Sequence, residues 1–313
     1  MSSKPQSPVG LLAVSAPLLL VAAFAAAGCA APSPSLPRVA ATIPPLADIV
    51  REVAGNSVGV IRILPAGASP HTFEPSPGTA RELARARTIL AIGHGLDDWV
   101  VTLAAASGVP RVVRVDAGVK LRPVARRETA GAVRPRASSE GDEVMDPHYW
   151  LSCANAKRIA ATVERELASL FPDQAGAFAS RRASYAARLD SLDAEIRSSL
   201  AHVPSRDIAT FHNAFEYFAA DYGLRVVAVF EPYPGREPGP RFVRDFERKV
   251  RQSEVRAVFA EPQLSVELLK PIARDLGVTL SMLDPLGGVP GRESFVDMMR
   301  FNAGQLARSL GGR

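Results

Sequence analysis

The sequence predicts an α/β protein of two lobes, each a mainly parallel sheet flanked by helices, joined by one long rigid helix. Three observations predict it. Short apolar runs such as 88–92 and 257–260 alternate with helical patterns, as buried parallel strands alternate with their crossover helices. This alternation occurs twice, over residues 38–171 and again over 204–313. Between the blocks, residues 172–203 hold the longest helical pattern in the chain, with no glycine or proline from 177 to 201. The totals agree: 313 residues, 47% hydrophobic and 22% charged, describe a globular chain long enough for two domains.

In the first block, residues 38–42 and 58–64 read as strands around a helix over 45–54. Pro44-Pro45 suits that helix's start and Gly55 its end. A helix over 77–87, a strand over 88–92, a helix over 97–108 and a strand over 111–115 follow. Residues 120–145 break the pattern. They hold Arg122, Arg126, Arg127, Arg134 and Arg136, then Glu140, Asp142 and Glu143, with too little apolar content to bury a face, and are expected to form a mobile surface loop. A helix over 153–170 carries Ile159, Val163, Leu167 and Leu170 on one side. In the long helix, Tyr185, Leu189, Leu192, Ile196 and Leu200 recur at three- and four-residue spacing, which marks a stiff connector rather than a flexible linker. The second block reads as strands at 207–211, 225–230, 257–260 and 279–283, with helices at 215–223, 240–253, 265–276 and 294–310.

The charge of +5, from 37 basic against 32 acidic residues, does not describe a nucleic-acid binder. Aromatics are 6% of the chain, and the arginines are spread over helices instead of forming one stripe. Residues 1–28 read as a secretory signal, with Lys4 as the positive start and an apolar run ending in small residues. That run is nearly long enough to span a bilayer, so a retained helix is the competing reading. Ala26-Ala27-Gly28-Cys29 resembles the lipobox of bacterial lipoproteins, in which a diacylglycerol is attached to the cysteine and cleavage falls just before it. Ala26 stands where leucine is commonest. The resemblance implies a protein exported to the periplasm or cell exterior and anchored to the bilayer through Cys29, with residues 29–37 as tether. Cys153 is then without a partner, which argues against a disulfide and for a buried small residue.

Four segments place a metal-ligating side chain beside a turn, strand end or helix start. They are Pro70-His71-Thr72-Phe73-Glu74-Pro75-Ser76-Pro77, Asp146-Pro147-His148-Tyr149-Trp150-Leu151, Thr210-Phe211-His212-Asn213 and Leu283-Asp284-Pro285-Leu286-Gly287-Gly288. The chain has only five histidines, and three of them stand in these contexts. A side chain just past a strand end is where open α/β sheets put their ligand sites. The reading is that His71, His148, His212 and Asp284 converge on one metal ion in the inter-lobe cleft, two from each block. Their wide separation excludes zinc-finger spacing, while ordinary surface or core histidines remain the alternative on spacing alone. Glu74 and Glu261 are expected to accept hydrogen bonds from the imidazoles, against the plainer roles of a turn residue and an exposed carboxylate. His94, between two glycines, reads as structural or cleft-lining, and His202, at the end of the long helix, as structural.

These segments resemble the metal-binding lipoproteins of bacterial ABC importers for zinc and manganese, the group whose lobes are joined by one long helix. The likeness runs from Arg38 over nearly all of the chain, keeps the motif order, and includes Phe211-His212-Asn213-Ala214-Phe215-Glu216-Tyr217-Phe218 and Glu261-Pro262-Gln263. It implies that His71, His148, His212 and Asp284 bind the metal. Ser152-Cys153 departs from it, standing where the family usually has Asp-Pro. No histidine lies between His94 and His148, where zinc members often carry a histidine-rich loop.

Three imidazoles and a carboxylate suit Zn²⁺, whereas Mn²⁺ prefers oxygen donors and higher coordination. The family's manganese-selective members usually put a carboxylate where this chain has His212. Zn²⁺ is therefore the favoured ion, and a bidentate Asp284 could admit Mn²⁺. The resemblance implies high-affinity capture of a divalent metal outside the membrane and delivery to an ABC permease, by a protein expected to be monomeric. Catalysis is not expected, because four protein ligands leave no position for a substrate water, and neither a His-Glu-x-x-His helix nor a Gly-x-Ser-x-Gly elbow occurs. The alternatives are a manganese-binding protein of the same class and a zinc hydrolase with Asp284 or Glu261 as base. Some members of the family are also cell adhesins.

Overall fold

The computed structural model describes residues 36–124, 143–231, 235 and 238–311. The signal, Cys29, nearly all of the tether and most of the charged loop at 120–145 lie outside those residues. The first sheet comprises β1 (Arg38–Ala41), β2 (Gly59–Arg62), β3 (Ala86–Ala91) and β4 (Val112–Arg114), in the order β2-β1-β3-β4 with every pairing parallel. The second comprises β5 (Asp207–Thr210), β6 (Arg225–Val229), β7 (Ala257–Ala260) and β8 (Thr279–Met282), in the order β6-β5-β7-β8, again all parallel. The two lobes therefore share one winding. In each, the chain steps outward from its first strand to an edge and then crosses back to its third, which opens a crevice between the carboxyl ends of those two strands.

Helices cover the sheets on both faces, which is why β3 reads as a continuous apolar run rather than an alternating one. Helix α1 (Pro44–Ala54) starts on prolines, whose missing N–H groups cost nothing in a first turn, and stops at Gly55, whose φ of 61° suits glycine. Helix α2 (Pro77–Leu83) ends earlier than its alanine and arginine content predicts. Ala86 pairs with Arg38 in the sheet, so strand pairing overrides helix propensity from that point. Helix α3 (Trp99–Ser107) returns the chain to β4.

Helix α4 (Cys153–Leu170) and one 3₁₀ turn lead into the long helix α5 (Ala175–Leu200). At 26 residues α5 is about 39 Å long. Its buried stripe of Phe178, Tyr185, Leu189, Leu192, Ile196 and Leu200 packs against α1, α4 and α9 (Phe295–Leu310). One apolar core runs from β1 and α1 of the first lobe, through α4 and α5, to β7 and α9 of the second. The long helix is thus embedded in a shared core and is not a free strut. Helices α6 (Glu216–Tyr222), α7 (Pro240–Arg251) and α8 (Leu269–Leu276) complete the second lobe. Among the described residues no helix is long and apolar enough to cross a membrane.

Candidate metal centre

Each candidate side chain is placed by a different local device. His71 sits on the loop after the edge strand β2. The Trp99 indole N–H donates to the Pro70 carbonyl at 3.1 Å, and Phe73 packs edge-on against Trp99 at 4.9 Å between ring centres, so the loop is pinned on both sides of His71. His148 lies just before α4, where one Asp146 oxygen (Oδ1) accepts from the His148 backbone N–H at 2.9 Å and from its Nδ1 at 2.8 Å. Tyr217, reaching over from α6, accepts from Arg122 N at 2.8 Å and donates to the Asp146 carbonyl at 3.1 Å. Trp150 Nε1 donates to the Pro285 carbonyl at 2.7 Å. The His148 segment, itself part of the first block, is therefore tied to the second. His212 follows β5 at the crevice of the second sheet, and Glu261 faces it from the end of β7, accepting from His212 Nδ1 at 2.5 Å and from its backbone N–H at 3.3 Å.

These devices bring three imidazoles to one point. His148 Nε2 lies 3.3 Å from His71 Nε2 and 3.2 Å from His212 Nε2. A tetrahedral ion with Zn–N bonds of about 2.0–2.1 Å separates its nitrogen ligands by about 3.3–3.4 Å. The small pocket that the three rings line together with Trp150, Glu261 and Leu286 holds about 10 Å³, room for one water-sized sphere.

Tautomers strengthen the case. A carboxylate only accepts, so Glu261, and Asp146 once it has lost its proton, fix the ring protons of His212 and His148 on Nδ1. Both Nε2 atoms then present lone pairs to each other at 3.2 Å, a contact that a cation between them turns from repulsive to binding. Burial, followed by the neighbouring imidazoles, holds His71 well below the usual histidine pKa; burial and His212 do the same for His148. Neutral rings are the form that ligates. Burial also pushes the Asp146 carboxyl up to about 7.

Asp284 does not join this group. It is fully buried, with Oδ1 accepting from Leu286 N, Gly287 N and Gln263 Nε2, each at 3.0 Å, and Oδ2 facing Arg292 Nε at 3.3 Å. Among the described residues, the group whose ligand atoms all lie within 4.8 Å of one another is His71, His148 and His212. Of the two expected orienting carboxylates, Glu261 is in place. Glu74 is exposed, and no hydrogen bond ties it to an imidazole. Phe73 turns inward onto Trp99, which turns its neighbours Thr72 and Glu74 outward. The second carboxylate is Asp146, whose signal in the sequence is its place two residues before a histidine, the spacing of an Asx turn. Arg292 has no such signal.

The remaining histidines stay outside. His94, at a φ of 57°, contacts Asp116 Oδ2 at 2.8 Å, and His202 is exposed after the long helix. Cys153 is buried without a disulfide partner, and burial pushes its thiol up to about 12. Ser152, where the resemblance leads one to expect aspartate, caps α4 by accepting from Asn155 N at 3.2 Å, so the turn is kept by a different residue.

Residues 39–309 match the family described as zinc-uptake complex component A, periplasmic (ZnuA). The chain is 24% identical over 270 residues to the zinc-binding lipoprotein AdcA of Streptococcus pneumoniae (strain ATCC BAA-255 / R6), covering 85% of this chain and 54% of AdcA. It therefore spans about half the length of that relative. It is 26% identical over 296 residues to a protein of Treponema pallidum (strain Nichols) provisionally named as metal-binding, with 91% and 93% of the two chains covered. Among solved structures, the crystal structure of ZnuA superposes with a TM-score of 0.78 at 27% identity, over 88% of this chain and 100% of that one. The solute-binding protein FpvC of Pseudomonas aeruginosa in complex with Mn²⁺ superposes with a TM-score of 0.76 at 27% identity, over 87% and 98%. The family match includes all three imidazoles and both of the carboxylates that orient them, and on that extent the chain belongs to the ZnuA family of periplasmic zinc-uptake components.

Proposed function

We propose that this chain captures Zn²⁺ outside the cytoplasmic membrane and passes it to the permease of an ABC importer, without catalysing a reaction. The observation that supports this most is the meeting of three imidazoles at 3.2–3.3 Å, two of them held in the ligating tautomer by buried carboxylates. His71, His148 and His212 are the proposed ligands, with Asp284 as the fourth, and export with anchoring through Cys29 belongs to the same proposal. So do the lobe limits 38–171 and 204–313. Because lobe 1 and its connecting segment supply His71 and His148 while lobe 2 supplies His212, a small opening of the lobes would break the shell and free the ion. An all-nitrogen cluster favours Zn²⁺. FpvC, seen with Mn²⁺, keeps manganese as the second reading.

The test is a thermal melt of chelator-treated protein with and without Zn²⁺. At a hundredfold excess over Kd, zinc should stabilise the fold by about 2.7 kcal/mol. His148→Ala should abolish that gain. Asp284→Ala separates binder from hydrolase, since a binder loses affinity and a hydrolase keeps its zinc and loses turnover. No zinc-induced shift in the unaltered chain would refute the proposal.

A further inference from the structure

The two oxygens of Asp284 are used unequally. Oδ1 is saturated by two backbone N–H groups and Gln263. Oδ2 is buried and accepts no hydrogen bond; the cation beside it is Arg292, whose Nε stands 3.3 Å away. The main chain of Asp284 is clamped as well, its N–H donating to Asn302 Oδ1 and its carbonyl accepting from Asn302 Nδ2, both at 2.8 Å. Oδ2 is thus the one part of this residue able to change partner. Gln263 and Leu286, which donate to its other oxygen, and the next residue Pro285 line the same small space as the imidazoles.

Arg292 is held more loosely. Its turn is closed by Gly288 N donating to its carbonyl at 2.7 Å, but its side chain is 17% exposed and its guanidinium lies over the Phe301 ring at 4.5 Å. The ring face supports the guanidinium alongside the carboxylate and remains in contact if the carboxylate is lost. A carboxylate with no exposure needs a counter-charge, and losing it without replacement is costly. Two cations can meet that need, but only one at a time can occupy Oδ2.

We infer that Arg292 and the captured metal ion compete for Asp284 Oδ2. Arg292 neutralises the carboxylate while the imidazoles stand alone; the arriving dication takes that oxygen as its fourth ligand and releases the guanidinium to Phe301 and solvent. The inference rests on the metal-capture reading above. It makes Arg292 a positioning residue that sets affinity: by stabilising the metal-free form it weakens net binding, and by returning to Oδ2 it assists release.

The experiment measures zinc Kd by competition with a chromophoric chelator for the wild type, Arg292→Gln, Asp284→Asn and the double variant. Arg292→Gln should bind zinc about tenfold to a hundredfold more tightly and melt at a lower temperature without zinc. The double variant should match Asp284→Asn, because the competition acts only through that oxygen. Equal or weaker binding by Arg292→Gln, or the same tightening in the Asp284→Asn background, would overturn the inference and leave the capture reading standing. A wild type that does not bind zinc removes that reading instead. Should Arg292→Gln not fold, the Arg292 Nε–Hε NMR signal of the unaltered chain replaces it. One equivalent of zinc should shift that signal and speed its exchange with water, and an unchanged signal overturns the inference.

Discussion

Glu261→Gln is the substitution whose effect the geometry fixes best. Glu261 is 2% exposed and accepts from both the backbone N–H and Nδ1 of His212, the latter at 2.5 Å. Glutamine has nearly the same shape, so the change removes charge and adds a donor while leaving little cavity. Hydrogen bonds to charged groups are worth about 1.5–3 kcal/mol, of which the neutral amide keeps part. The amide can also turn its NH₂ toward Nδ1, which moves the ring proton to Nε2 and blocks ligation. Loss of a partner of this kind lowers metal affinity about 10–100-fold, or roughly 1.4–2.7 kcal/mol, the same range by a separate route. Competition titration of Zn²⁺ at pH 7 against a chelator of known affinity measures it, with a metal-free melt to show that the fold is kept. If Glu261→Gln binds zinc as wild type does while His212→Ala does not, the carboxylate does not tune the ring and the tautomer argument fails.

Two further outcomes concern stability. In the unfolded metal-free chain His71 and His148 take up protons as the pH falls through about 6.5, whereas in the native chain burial keeps them neutral, so stability is lost on that descent. Asp146 acts in the opposite sense, because its native carboxyl keeps a proton up to about 7. Burial also raises the carboxyls of Asp48, Asp97 and Glu216, which act with Asp146, so the histidine share is read as the difference between wild type and His148→Gln in urea melts of chelator-treated protein at pH 5.5 and 7; the same change with pH in both chains would contradict it. Asp97→Ala should cost about 3–5 kcal/mol, since it orphans the Thr42 hydroxyl and the Ile92 and Gly93 N–H groups now bonded at 2.6, 2.8 and 2.7 Å. A loss below about 1 kcal/mol in urea unfolding would show that those donors find other partners.

The architecture was legible because its signals are local. A wholly apolar run such as 88–92 has no exposed face to pattern, so its burial on both sides can be read directly. The stripe from Tyr185 to Leu200 likewise announces one long helix. His71, His148 and His212 were legible because each stands where a turn or strand end delivers it. What surrounds them was less so. Glu74 and Asp146 are both acids near a candidate histidine, and choosing between them requires knowing that Phe73 turns in against Trp99. The surroundings of Asp284 were not legible, because its oxygens face Gln263 and Arg292, partners no spacing rule identifies. The early stop of α2 was hidden for a similar reason: it depends on pairing with a strand nearly fifty residues earlier in the chain.

The two sheets share a strand order, yet their crevices do different work, and a carboxylate decides which. In the first lobe Asp97 spans the ends of β1 and β3 and accepts only from a hydroxyl and two backbone N–H groups. Its oxygens face donors that belong to the fold, and nothing is turned outward for a ligand. In the second lobe Glu261 occupies the matching place between β5 and β7, but its partner is the His212 imidazole, which has a second nitrogen to offer. One crevice is therefore a lock and the other presents one imidazole of the three-histidine cluster, although the winding is the same. The first lobe compensates by supplying its imidazole from the loop after its edge strand, and the segment before α4 adds the other. Binding capacity thus follows from which side chain the crevice carboxylate holds. It does not follow from the fold: a chain with this topology and a serine in place of His212 would keep both sheets and lose the shell.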